Sequence, residues 1–93
     1  MISVLIQRVI APGMEPSYDQ IINSAMQSAL SVPGFISGES MHNLEYPNVR
    51  YVMVKMRSEL DWYAWHASPE RNQALEQVTP LLLEPEKITL LSH

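Results

Sequence analysis

The sequence predicts an α+β domain of order βαββαβ, an antiparallel four-stranded sheet with two helices on one face. Three observations predict it. Four segments read as strands, the first rich in β-branched residues and the third setting Val52, Val54 and Met56 on one face. Helical stripes fall between the first and second runs and between the third and fourth. Pro, Gly or Asn punctuates the junctions.

The first strand is Ile2–Val9, rich in β-branched residues and ended by the turn signal Ala11-Pro12-Gly13. A helix opens near Glu15-Pro16-Ser17, because proline is tolerated in a first turn and an acidic residue suits the positive helix end. Tyr18, Ile21, Ile22, Ala25, Met26 and Ala29 recur at helical spacing, and Val32-Pro33-Gly34 stops the stripe. Residues 35–43 form a weaker strand with Gly38 inside it, the mark of a bulge or a close backbone approach. Tyr46-Pro47-Asn48 turns the chain into a long strand over 49–57. The second helical region starts near Ser58, which caps together with Asp61 in the manner of a capping box. Ser68-Pro69 interrupts it: a fresh N-cap, then proline at the first helical position with Glu70 behind it. Helix resumes through Ala74, Leu75 and Val78 and frays near Pro80. Glu84-Pro85-Glu86 breaks the chain before a last strand, Lys87–Ser92. No internal repeat or low-complexity segment appears, so residues 1–93 read as a single domain. Two helices joining four strands in this order give a ferredoxin-like arrangement.

The strand patterns carry a second message. Ile2, Val4 and Ile6 point one way while Leu5 and Val9 point the other. Val52, Val54 and Met56 oppose Val49, Tyr51 and Met53, and Ile88 and Leu90 oppose Leu91. A sheet covered on one face alternates apolar with polar residues; this one is apolar on both. The expected cover for the second face is another copy of the chain, a homodimer packed sheet against sheet. If about six side chains lose solvent there, at ~1.5–3 kcal/mol each, the gain is on the order of 10 kcal/mol before association costs. The alternative is a monomer with a scattered apolar surface.

Composition narrows the partners. With 46% apolar residues, the chain supports one small core. A net charge of −4, a pI near 5.2 and only six Lys and Arg argue against nucleic acid or an anionic membrane. No cysteine is present, which removes thiol nucleophiles and zinc ribbons and fits a cytoplasmic location. Residues 1–10 carry Gln7 and Arg8 and read as a strand, not a signal peptide. No apolar stretch is long enough for a membrane span. His42, His66 and His93 have no ligand spacing among them, so neither a metal nor a cofactor is expected.

The densest segment chemically is Trp62-Tyr63-Ala64-Trp65-His66-Ala67-Ser68-Pro69-Glu70-Arg71. On a helix Leu60, Tyr63, Ala64 and Ala67 share one side, and Trp62, Trp65 and His66 the other. The first group suffices to seat the helix on the core. The tryptophans then face a ligand pocket, another subunit or neighbouring chain.

A βαββαβ chain of this length, with Trp65 three positions before Ser68-Pro69-Glu70-Arg71, resembles the antibiotic biosynthesis monooxygenase superfamily. The resemblance spans essentially the whole chain. It implies a dimeric α/β barrel of two ferredoxin-like subunits packed sheet to sheet. It also implies oxidation of a small aromatic or hydroquinone-like molecule by O2, often without metal, flavin or haem. Trp65 sits where haem-degrading and some cofactor-free members place a pocket tryptophan, and Gln7 where those members place an asparagine. The haem-degrading branch carries an iron-ligating histidine ten residues after the tryptophan; Leu75 occupies that place and cannot ligate iron, which disfavours haem degradation. The quinol-oxidising branch tends to have histidines at the places of Trp65 and near Glu70, and both are absent here.

The resulting expectation is a cofactor-free monooxygenase with Trp65, Gln7 and His66 as catalytic candidates and Tyr51, Tyr63 and Arg71 as substrate contacts. Trp65 reads either as pocket wall or as packing, and Trp62 as interface or surface cover ahead of substrate contact. His66 could remove a phenolic proton, an imidazole being the side chain that titrates near neutral pH, or could simply be solvated. Gln7 reads equally as a pocket amide or a structural hydrogen-bonding group. Tyr51 and Tyr63 offer hydroxyls or packing. Arg71 could orient an anionic group, a surface ion pair with Glu70 or a neighbour being the plainer reading. The alternative function is a non-catalytic dimeric barrel that binds a small hydrophobic ligand.

Overall fold

The computed structural model describes residues 1–93. Its elements run β1 (Ile2–Val9), α1 (Glu15–Ala29), β2 (Phe35–His42), β3 (Val49–Met56), α2 (Glu59–His66), α3 (Pro69–Val78), a 3-10 turn (Thr79–Leu81) and β4 (Lys87–Ser92). The strands form one antiparallel sheet in the order β2-β3-β1-β4. The expected ferredoxin-like α+β arrangement is therefore present. The second helical region is two separate helices, broken where Ser68-Pro69 predicted it.

Strand alternation assigns the two faces. Ile2, Val4 and Ile6 pair with Met56, Val54 and Val52 in register, and all six are buried against the helices. Tyr18 and Ile22 of α1, Trp62 of α2 and Val78 of α3 complete that core. The opposite face carries Leu5, Gln7, Val9, Val49, Tyr51 and Met53, each half-buried by its neighbours in the sheet. The helices lie against the other side.

Local chemistry explains the element ends. Pro16 sits in the first turn of α1, and Glu15 accepts a hydrogen bond from the Gly13 amide at 2.8 Å. Ser58 Oγ accepts from the Asp61 amide at 3.2 Å, and Ser68 Oγ from the Arg71 amide at 3.2 Å, so both predicted N-caps are made. Gly34 adopts φ +83°, and a Cβ there would overlap the Asp61 carboxylate, so only glycine fits. In β2 the register irregularity falls between Phe35 and Ser37, not at Gly38. Gly38 is instead the close approach: a Cβ would come within 2.7 Å of Met26 Cε. The second and third strands each end one residue earlier than expected, at His42 and Met56.

One expectation is reversed. Leu60 is 80% exposed and Tyr63 51% exposed, whereas Trp62 is only 2% exposed. Two turns of helix constrain rotation weakly by pattern alone, and tertiary contacts decide it. Asp61 rests over Gly34, whose carbonyl accepts from the Arg57 amide at 2.8 Å, and this turns Trp62 inward.

Candidate functional site

Between the sheet and the helices lies a cavity of about 70 Å³. Of its 17 lining residues, 15 are hydrophobic, and the two exceptions are Arg8 and Arg71. β1 and β3 supply the floor through Ile6, Arg8, Val52, Val54 and Met56. α1 contributes Ile22, Met26 and Ala29, while Trp62, Trp65, Leu75 and Val78 close the remaining wall. Trp65 is partly buried and also lines two surface grooves, one beside Ser31 and Pro33 and one between α1 and α3 near Ser24 and Gln73. It is thus the wall shared by interior and exterior.

A buried ionic cluster forms the polar end. Arg8 is 8% exposed and Arg71 7% exposed. Arg71 Nη2 donates to both Glu86 carboxylate oxygens, at 2.8 and 3.0 Å. Arg8 Nη2 donates to Glu86 Oε1 at 3.3 Å, and Arg8 Nη1 to the Tyr18 hydroxyl at 3.2 Å. Each guanidinium also lies over an aromatic ring, Arg8 at 5.9 Å from Tyr18 and Arg71 at 5.9 Å from Trp62. Arg8 Nε is buried with no hydrogen-bond partner.

The sequence candidates divide. Trp65 and Arg71 meet at this cavity. Arg71 is not the surface partner of Glu70 that spacing suggested: it is buried and bound to Glu86, fifteen positions away. Gln7 lies on the opposite face of the sheet, in register with Tyr51 and Lys87, because alternation turns Arg8 toward the helices instead. Tyr51 shares that opposite face. His66 is exposed on α2, its ring 5.6 Å from that of Trp62 but not lining the cavity, and Tyr63 is exposed beside it. Trp62, expected at an interface or surface, is a core residue and a cavity wall. Arg8, Glu86 and Tyr18 were not singled out by sequence. The signal for Arg8 was present: it is the next inward position after Ile2, Val4 and Ile6, and a cation there needs a partner. No group of three His, Cys, Asp or Glu residues is placed to hold a metal ion, and no helix is long and apolar enough to cross a membrane.

A sequence profile described as antibiotic biosynthesis monooxygenase matches residues 1–77. The chain belongs to that family. No functionally curated protein matches it. Among solved structures it is similar to a Nitrosomonas europaea protein provisionally named an antibiotic biosynthesis monooxygenase, with a TM-score of 0.91 at 11% identity, covering 100% of this chain and 98% of that one. Rv0793 from Mycobacterium tuberculosis gives 0.89 at 16% identity, over 99% and 93% of the two chains. A variant of SnoaB, a cofactor-independent oxygenase from Streptomyces nogalater, gives 0.88 at 10% identity, over 99% and 91%. At these identities the structural likeness shows a shared fold.

Proposed function

We propose that this chain is a cofactor-free monooxygenase acting on a small aromatic or hydroquinone-like substrate held in the cavity beside Trp65. Family membership supports the reaction class. The observation that carries the reading is the cavity itself, apolar on every side except for two arginines and walled by Trp62 and Trp65. In such a site an electron-rich substrate, once deprotonated, passes an electron to O2, and the radical pair joins to form a carbon-bound peroxide. Where the reacting carbon is a methylene, protonation and loss of water leave a carbonyl. One oxygen atom then ends in product and the other in water, with the substrate supplying all the electrons. The protein's part is to exclude bulk water and fix the ring against the tryptophans.

The cavity must widen to work. A cavity of about 150 Å³ holds benzene, roughly twice the volume seen here. Trp65 is the wall between cavity and surface grooves, so its displacement would open the cavity outward.

The same reading makes the chain a homodimer through the second sheet face, with Leu5, Tyr51 and Met53 among the side chains that lose solvent and Gln7 lying between the two sheets. Oxygen uptake with anthrone, catechol and menadiol tests the activity. Trp65→Phe should lower kcat/KM about tenfold, or ~1.4 kcal/mol of transition-state stabilisation, with folding intact by circular dichroism. Unchanged turnover would remove Trp65 from the site. One observation favours the second reading, a dimeric barrel that only binds a hydrophobic ligand: no histidine or carboxylate lines the cavity. Saturable quenching of tryptophan fluorescence by these compounds without oxygen uptake would select it.

A further inference from the structure

We propose that Arg8 and Arg71 form an anion-recognition end of the cavity, so that the ligand binds through a phenolate or enolate oxygen. This rests on the cavity being the ligand site, as argued above, and it names the substrate class. Two guanidinium groups share one carboxylate, leaving an excess positive charge at the edge of an otherwise apolar cavity. A buried charge is tolerated only when it is matched, and Glu86 matches one of the two. Arg71 lies in the first turn of α3, where the helix dipole already favours negative charge, so the surplus is not relieved by the backbone. Arg8 is more than nine-tenths buried, lines the cavity, and keeps its Nε donor without a partner. An anionic oxygen entering from the cavity supplies both the missing charge and an acceptor.

This assignment also removes a difficulty in the oxygenation reading. His66, the sequence candidate for a base if it were not simply solvated, does not line the cavity. With two arginines at its end, the cavity favours the ionised form of an acidic phenol or enol, whose proton leaves to solvent water before or during entry.

The test uses 4-nitrophenol, whose phenolate reports itself by its yellow absorbance and whose nitro-substituted ring is too electron-poor to confuse binding with turnover. Its neutral comparator is 4-nitroanisole, followed by quenching of tryptophan fluorescence. The intact chain should lower the apparent pKa of bound 4-nitrophenol by about one, a roughly tenfold preference for the anion. Arg8→Leu should abolish that preference while 4-nitroanisole still binds, and Arg8→Lys should keep most of it. Glu86→Gln removes the internal competitor and should strengthen the preference several-fold, a gain that a purely structural cluster would not produce. If both ligands bind with no pKa change, the anion site is overturned and the oxygenase reading survives. If neither binds, the anion site is overturned, and oxygen uptake with the electron-rich panel alone decides the oxygenase reading. If the phenolate is preferred and no panel compound consumes O2, the anion site stands and the oxygenase reading fails.

Discussion

The two faces of the sheet solve the same problem differently. Toward the helices, β1 and β3 present Ile2, Val4, Ile6, Val52, Val54 and Met56 to a core that the chain supplies for itself. Away from the helices, the same two strands present Leu5, Val9, Val49, Tyr51 and Met53, and no helix packs over them. Yet the helix-facing side is where the charge is buried, in Arg8, Arg71 and Glu86, while polar Gln7 stands on the open side. A face built only to fold would exclude the arginines. A face built to meet water would exclude Leu5 and Met53. The contrast is between a face that encloses the cavity lined by Arg8 and Arg71 and a face that no part of the chain covers, the one on which we propose the homodimer.

The widest separation of the two faces comes from adjacent positions. Val54→Lys buries an unmatched charge in the core and should cost on the order of 4 kcal/mol, comparable with the whole stability of a domain this size, so the far-ultraviolet signal is lost or its melting falls steeply. Met53→Lys faces the other way, opposite Glu39 on β2, where the new ammonium gains a cross-strand partner. It should leave the monomer folded and halve the sedimenting mass. A Met53→Lys protein with the parent's mass would overturn the proposed dimer through this face.

The next test concerns α2. Trp62→Ala should destabilise by about 3–5 kcal/mol in chemical denaturation, since the indole is 2% exposed. Leu60→Ala, on the outward side, should stay within about 0.5 kcal/mol. Equal effects would mean that α2 rotates in solution. This helix also marks where sequence reading stops. The first and third strands were legible because β-branched runs bounded by turn signals have few other readings, and the Ser58 and Ser68 caps were legible because capping is local. The roll of α2 was not, because it depends on Gly34 receiving Asp61, a contact between residues 27 positions apart in sequence. The same limit governed the site: Trp65 and Arg71 could be nominated from one helical segment, but Glu86 joins them only through the final loop. Gln7 and Arg8 differ by one register step, and alternation turns Arg8, not Gln7, toward the cavity.

That register step gives the third comparison. Arg8→Met removes a guanidinium bonded to Tyr18 and Glu86 and should cost about 2 kcal/mol, Glu86 retaining Arg71 as its partner. Gln7→Met changes no such bond and adds apolar area to the open face. It should tighten the proposed dimer, measured as a lower dissociation constant in dilution sedimentation. A weaker dimer would show instead that the Gln7 amide makes a hydrogen bond across the proposed interface.

The smallest effects compare two serines. Ser68 Oγ donates to the Trp65 carbonyl at 2.7 Å and accepts from the Arg71 amide at 3.2 Å, so one hydroxyl ties together a cavity residue from each side of the helix break. Ser68→Ala should cost about 1 kcal/mol, the usual value of a lost N-cap, and should speed amide exchange at Arg71. Ser3, facing the other way, bonds His93 Nε2 at 2.8 Å near the exposed chain end. Ser3→Ala should stay within about 0.5 kcal/mol, because the freed imidazole turns to water. The Ser68 hydroxyl bridges the break between α2 and α3, with Trp65 on one side and Arg71 on the other. A Ser68→Ala protein with normal stability loss but unchanged 4-nitrophenol binding would show that the break is held by Pro69 and packing, and that the cap stabilises the site without shaping it.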